Sequence, residues 1–251
     1  MRRFLTWYLP LLAAVAGGAI FAGGFYAYLT GRLGTVVGEP TRPVSAQAPR
    51  GLVVPLILGD SLARGTGDET GLGIGGRLAA ELKKRRIQAK PATNLAVNGA
   101  RTADLLRQLD SRNVRTVIAE SNVIIISIGA NDLWGGTDWR NAPPRDPDAA
   151  MGVVLERIDR VLHIVREVNP KGRIFLIGLY NPFAATPFGP QLTALVNRWN
   201  GKLLERFGGD ANVTIVPTSD LFSHHDRLSL DRFHPGDEGY QLIAERIAES
   251  M

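Results

Sequence analysis

Hydrophobic and polar positions divide the chain into three stretches. From Phe4 to Gly31 there are 28 consecutive positions without charge, more than the roughly 20 apolar residues a helix needs to cross a hydrocarbon core. Residues 1–33 are therefore expected to form a short cytoplasmic tip and a transmembrane anchor. A cleaved signal peptide is the competing reading, because Arg2 and Arg3 make a basic start and Ala14-Val15-Ala16 has the small-residue spacing of a cleavage site. The apolar run continues past that point through Ile20, Phe21 and Phe25 and ends on Tyr26 and Tyr28, where an interfacial aromatic belt belongs, which favours the anchor. Residues 34–51 carry Pro40, Pro43 and Pro49 with no apolar periodicity and predict a flexible linker.

From residue 52 to 251 the pattern alternates between two periods. Strand-like apolar runs occur at Val53 to Leu58, Ala92 to Val97, Val123 to Ile128, Arg173 to Gly178 and Val213 to Val216. Helical spacing occurs between them, over Gly75 to Arg86, Thr102 to Leu109, Val153 to Val168, Leu192 to Phe207 and Glu238 to Ser250. The run Val123-Ile124-Ile125-Ile126 is apolar without interruption, as a central parallel strand covered on both faces must be. Strands alternating with helices predict a doubly wound α/β sheet in one domain of about 200 residues.

Charge changes this picture little. The excess of 29 basic over 24 acidic residues gives +5. Its only dense run, Lys83-Lys84-Arg85-Arg86, falls at a predicted helix C-terminus, where cations complement the helix dipole. A solvated helix end is the preferred reading, attraction to anionic lipid or wall polymer a minor alternative, and no nucleic-acid partner is expected. The absence of cysteine leaves the compartment open, since a domain of this size buries a sufficient core without disulfides. Arg2 and Arg3 on one side of the apolar segment are nearly balanced by Arg32 and Arg42 on the other; the domain is expected outside the cytoplasm.

In an open parallel sheet ligands bind beyond the carboxyl ends of the strands. The residues just after the predicted strands are Gly59-Asp60-Ser61-Leu62, Asn98-Gly99, Gly129-Ala130-Asn131-Asp132 and the loop Asp231-Arg232-Phe233-His234-Pro235. Together they resemble the four blocks of the SGNH, or GDSL, hydrolase family: a Ser in Gly-Asp-Ser, a Gly, an Asn in Gly-x-Asn-Asp and a His in Asp-x-x-His-Pro, in that order. The resemblance runs from about Leu52 to the end of the chain. It implies a three-layer α/β/α, flavodoxin-like fold with about five parallel strands and the nucleophile at the end of the first.

The chemistry needs these residue types. A serine hydroxyl is a poor nucleophile until a base takes its proton, and an imidazole titrating near neutral pH suits that task, so Ser61 and His234 are the expected nucleophile and base. Asp231, three residues before His234, can reach the other ring nitrogen and fix the tautomer. The resemblance assigns the oxyanion donors to the backbone amides of Ser61 and Gly99 and the side-chain amide of Asn131. Asp60 and Asp132 are expected to hold turns or cap helices. Each block has a blander reading: Gly-Asp-Ser as a capped turn, Asn131-Asp132 as an Asx turn, Asp231 to Pro235 as the start of the last helix. Their coincidence in order at strand ends is what those readings leave unexplained.

Two further segments bear on substrate. The loop from Leu133 to Asp148, with Trp134 and Trp139, is expected either to shape the acyl pocket or to cover the domain edge, and Tyr180 to Pro190, with Phe183 and Phe188, to wall the other side of the cleft. No metal or organic cofactor is expected: His224, His225 and Asp226 lack a zinc-ligand spacing, and His163 falls mid-helix as a surface or packing residue. The expected activity is carboxylester hydrolysis through an acyl-serine. A tether near lipid and cell wall suggests lysophospholipid or O-acetylated polysaccharide as substrate; an acyltransferase and a non-catalytic glycan-binding module are the alternatives.

Overall fold

The computed structural model describes residues 51–133, 146–222 and 225–251, with only the backbone of residue 225. The expected transmembrane segment and linker, and Trp134 and Trp139, lie outside the described residues. Among the described residues no helix is long and apolar enough to cross a membrane.

Five strands form one parallel sheet: β1 (Pro55–Gly59), β2 (Thr93–Asn94), β3 (Val123–Ser127), β4 (Arg173–Ile177) and β5 (Val213–Val216). Their spatial order is β2-β1-β3-β4-β5, so the winding reverses between β1 and β3, the place where such sheets open a crevice. Pro55, unable to donate to the ladder, is tolerated because it is the first residue of β1. The expected second strand is shortened to Thr93–Asn94; the Asn94 side chain accepts from Ala96 N at 3.0 Å and donates to Ala63 O at 2.9 Å. Backbone bonds from Leu95 N to Ile57 O and from Val97 N to Gly59 O nevertheless carry the chain along β1 towards Gly99.

The helices are α1 (Ser61–Arg64), α2 (Gly73–Lys84), α3 (Thr102–Leu109), α4 (Arg112–Glu120), α5 (Ala130–Leu133), α6 (Pro147–Val168), α7 (Gly189–Phe207) and α8 (Asp237–Glu249). Alternation along the strands feeds two cores. Leu56, Leu58, Ile124, Ile126, Ile174 and Leu176 pack with α3, α4, α6 and α7. Ile57, Ile125, Phe175 and Ile177 point the other way, to α1, α2 and α8. The uninterrupted isoleucines of β3 are thus buried on both faces, as their sequence predicts. Helix α4 was not expected, because only Val114 and Ile118 of its nine residues are buried. Helix α6 begins earlier than expected, at an Asp146 cap whose side chain accepts from Ala149 N, with Pro147 opening the first turn.

Where β1 ends, Gly59 pairs with Ser127 of β3. Its φ is +128°, and a Cβ added there would lie 1.8 Å from the Ser127 carbonyl oxygen. Only glycine admits this approach. Gly59→Ala is therefore expected to lower the free energy of unfolding by about 3 kcal/mol or more, strain and clash combined; chemical denaturation of the two proteins side by side checks it.

Candidate active site

The chain leaves β1 through Asp60, whose carboxyl accepts from Leu62 N at 3.2 Å and from Ser127 Oγ at 3.3 Å. Asp60 is thus the N-cap of α1 and places Ser61 at that helix's first position. There the Ser61 N–H has no intrahelical acceptor and points out of the helix end. The Tyr240 hydroxyl donates to Leu62 O and Thr66 O, at 3.2 and 2.7 Å, and so pins the Ser61 turn to α8.

Ser61 Oγ lies 2.9 Å from His234 Nε2, and His234 Nδ1 lies 2.6 Å from Asp231 Oδ2. Nδ1–H donating to the carboxylate leaves the Nε2 lone pair facing the serine proton. The His234 loop is held from several sides. Asp231 Oδ1 accepts from Ser229 Oγ and from the N–H groups of Phe233 and His234, at 2.6, 2.8 and 2.9 Å. Arg232 between them takes a left-handed φ of +55°, and the Tyr180 hydroxyl donates to Phe233 O at 2.7 Å. Behind the loop, Gly67 has a φ of +95°, and a Cβ there would lie 2.9 Å from His234 Cβ.

That glycine belongs to a loop fixed by ionic contacts. Asp68 accepts from Arg77 Nη2 at 2.9 Å and from Gly73 N at 2.6 Å, and Glu69 N donates to Asp237 Oδ1 at 3.0 Å.

The donors expected for an oxyanion gather on the same edge. Gly99, with φ +75°, is followed by Ala100, whose carbonyl accepts one N–H of Asn131 Nδ2 at 2.9 Å. Asn131 lies in α5, directly after β3. Asp132 ties the two segments: its buried carboxylate accepts from Thr102 N at 2.8 Å and Thr102 Oγ1 at 2.6 Å. Arg157 of α6 completes the cluster at 3.2 Å. Asp132 therefore meets the first turn of α3 from another element. Thr102, Arg157, Ser229 and the Tyr180 hydroxyl were not singled out in the sequence; the Ser-x-Asp spacing of Ser229 to Asp231 was the available signal for one of them.

Electrostatics separate the two aspartates. Burial pushes the Asp60 carboxyl up to about 7, against the hydrogen bonds it accepts, which pull the other way. Burial also acts to raise Asp231, but the bonds from Ser229, His234 and the backbone N–H groups of His234 and Phe233 overcome it and hold this carboxyl well below the usual range. Asp231 is 45% exposed, whereas Asp60 is 3% exposed. Burial, with smaller contributions from neighbouring groups, raises the Tyr180 and Tyr240 hydroxyls, which stay protonated as donors.

The remaining expectations fall at the periphery. Phe183 stacks behind Phe233, ring centroids 5.8 Å apart, while Phe188 is exposed. His163 is on the surface of α6, paired with Glu167 at 3.2 Å. Among the described residues no three His, Cys, Asp or Glu side chains gather as a metal-binding set; His224 and the side chain of His225 lie outside them.

A serine, an imidazole and a carboxylate in one hydrogen-bonded line, beside amide donors at the carboxyl edge of a 2-1-3-4-5 parallel sheet, define the architecture of an SGNH-type hydrolase. The chain belongs to the GDSL-like Lipase/Acylhydrolase family, whose pattern matches residues 57–242. It is similar to the uncharacterized protein YpmR of Bacillus subtilis, 29% identical over 79% of this chain and 81% of that one. It is also similar to the spore germination lipase LipC of Bacillus licheniformis, 23% identical over 76% of this chain and 92% of that one. Among solved structures, the lipase Lip_vut3 from a goat rumen metagenome shares the fold with a TM-score of 0.69 at 21% identity, over 79% of this chain and 97% of the other.

The raised Asp60 carboxyl has a consequence for stability. Between the ordinary 3.8 and about 7 the unfolded chain has given up this proton while the folded chain keeps it, so the native protein loses stability as pH rises through that window. Asp60→Asn removes the ionisation and keeps an acceptor for Leu62 N. The Tm difference, variant minus native, is expected to grow from pH 4.5 to about 7 and to level off above; thermal melts across that range measure it.

Proposed function

We propose that the chain is a serine carboxylester hydrolase acting through an acyl-serine intermediate, with Ser61 as nucleophile, His234 as general base and acid, and Asp231 as the group that orients the imidazole. The observation that carries this reading is the unbroken line Ser61 Oγ to His234 Nε2 at 2.9 Å and His234 Nδ1 to Asp231 at 2.6 Å. His234 takes the Ser61 proton as Oγ bonds to the ester carbonyl carbon. The oxyanion is held by the N–H groups of Ser61 and Gly99 and by the Asn131 side chain. The imidazolium returns its proton to the departing alcohol as the ester C–O bond breaks. Water, deprotonated by the same imidazole, then cleaves the acyl-serine, and the free acid leaves.

The low Asp231 carboxyl fits this cycle, because it stays ionised while the imidazolium forms beside it. Asn131 offers one amide hydrogen to Ala100 O, which leaves the other for the oxyanion. In this reading Asp132, Thr102 and Arg157 are positioning residues, fixing the Gly99 turn and Asn131 relative to each other. Residues 1–33 would tether the enzyme through the linker at 34–51, with the domain outside the cytoplasm, and lysophospholipid or O-acetylated polysaccharide within reach.

For the full chain assayed with p-nitrophenyl esters, Ser61→Ala is expected to retain its melting curve and lose about 10,000-fold or more in kcat. Labelling by diethyl p-nitrophenyl phosphate should go to Ser61. A folded chain that neither cleaves esters nor is labelled would refute the reading. Asn131→Ala is expected to lower kcat about 100- to 1000-fold. Asp132→Ala, acting at one remove, should lower kcat by up to about 100-fold with little change in KM; a steady-state split of kcat and KM distinguishes this from lost substrate binding. The tether predicts that the chain stays with membranes through alkaline carbonate washing.

A further inference from the structure

We infer that the acyl group of the substrate is short, two to four carbons, and that a small cavity beside Ser61 sets the limit. This rests on the hydrolase reading above and narrows its substrate.

The cavity begins at Ser61, Asn131 and His234 and measures about 50 Å³. A water-sized group needs roughly 10–15 Å³ on this measure, so about three to five such groups fit, enough for an acetyl to a butyryl chain. Leu179, Tyr180, Pro182 and Phe233 make its apolar wall. That wall is braced. The side chain of Asn200 accepts from Leu179 N and donates to Leu179 O, both at 2.8 Å, and the Tyr180 hydroxyl holds Phe233 O at 2.7 Å. Phe183 backs the Phe233 ring. A longer chain would have to displace packed groups, which a well-filled interior resists.

The opposite side of the cavity carries Asp60 and Ser127. A floor holding a buried carboxyl is poor surroundings for a long alkyl chain, since methylene groups passing over it would strip the polar atoms of any water without replacing a hydrogen bond. Two roomier hollows exist, about 690 Å³ along Gly65 to Gly76 and about 280 Å³ beside Gly99, but neither is lined by Ser61 or His234. Of the two substrates within reach, the cavity favours O-acetylated polysaccharide over lysophospholipid.

The test uses the full chain with p-nitrophenyl acetate, butyrate, octanoate and palmitate. Acetate or butyrate is expected to exceed octanoate in kcat/KM by about 100-fold, the scale on which an apolar pocket rejects excess methylenes. Leu179→Ala, and independently Pro182→Ala in case the first does not fold, should raise the octanoate-to-acetate ratio about tenfold by opening the wall. Preference of the native chain for octanoate or palmitate would overturn the short-acyl inference and leave the hydrolase reading standing. Folded variants with an unchanged chain-length profile would overturn the cavity's role. Absence of any ester cleavage together with no phosphorylation of Ser61 would overturn both the inference and the reading beneath it.

Discussion

The contact between Gly59 and the Ser127 carbonyl governs the geometry of the site. Two neighbouring parallel strands come as close at their carboxyl ends as a backbone without Cβ allows. The chain can then turn directly from β1 into a four-residue helix whose first residue is Ser61. From the same junction Asp60 reaches Ser127 on the neighbouring strand. Ser61, the Asn131 turn after β3 and the buried Asp60 carboxyl thus share one origin, the place where the order of the sheet reverses.

Around that junction the parts are assembled by polar contacts between elements far apart in sequence. Tyr240 of α8 holds the Ser61 turn, Tyr180 after β4 holds the Phe233 carbonyl, and Arg157 of α6 holds Asp132. None of these side chains has to react. Each removes freedom from a connection that carries a candidate site residue, which is how a rigid sheet transmits its precision to flexible connections. The His234 loop needs this most, because a left-handed Arg232 and a half-exposed Asp231 give it little packing of its own.

Much of this was legible in the sequence because it follows from periodicity and from short motifs. The isoleucines of β3 announce a strand buried on both sides, and four blocks at strand ends announce Ser61, Gly99, Asn131 and His234. What escaped has physical reasons. Helix α4 buries only two of its residues, too few for a periodic signal. The start of α6 is written in a cap, Asp146 with Pro147, instead of in apolar spacing. Thr102, Arg157 and the Tyr180 hydroxyl support the site through bonds across 25 to 53 positions, and no local pattern encodes such a meeting. The volume of the cavity beside Ser61 belongs to the same class, being a property of four converging segments.

The two ends of the sheet are built for different purposes. At the amino end, Arg173 fastens the carbonyls of Ser250 and Met251, and the Asn122 side chain clasps Leu52 and Val54. At the carboxyl end, the wall segment after β4 is secured by two asparagines, Asn200 on Leu179 and the buried Asn181 on Gly189, Thr193 and Phe183, and by the Tyr180 hydroxyl. The fastenings around Tyr180 to Pro190 share no residue with those at the amino end. One rim of the sheet can thus vary independently of the other, while the strands between them keep their register.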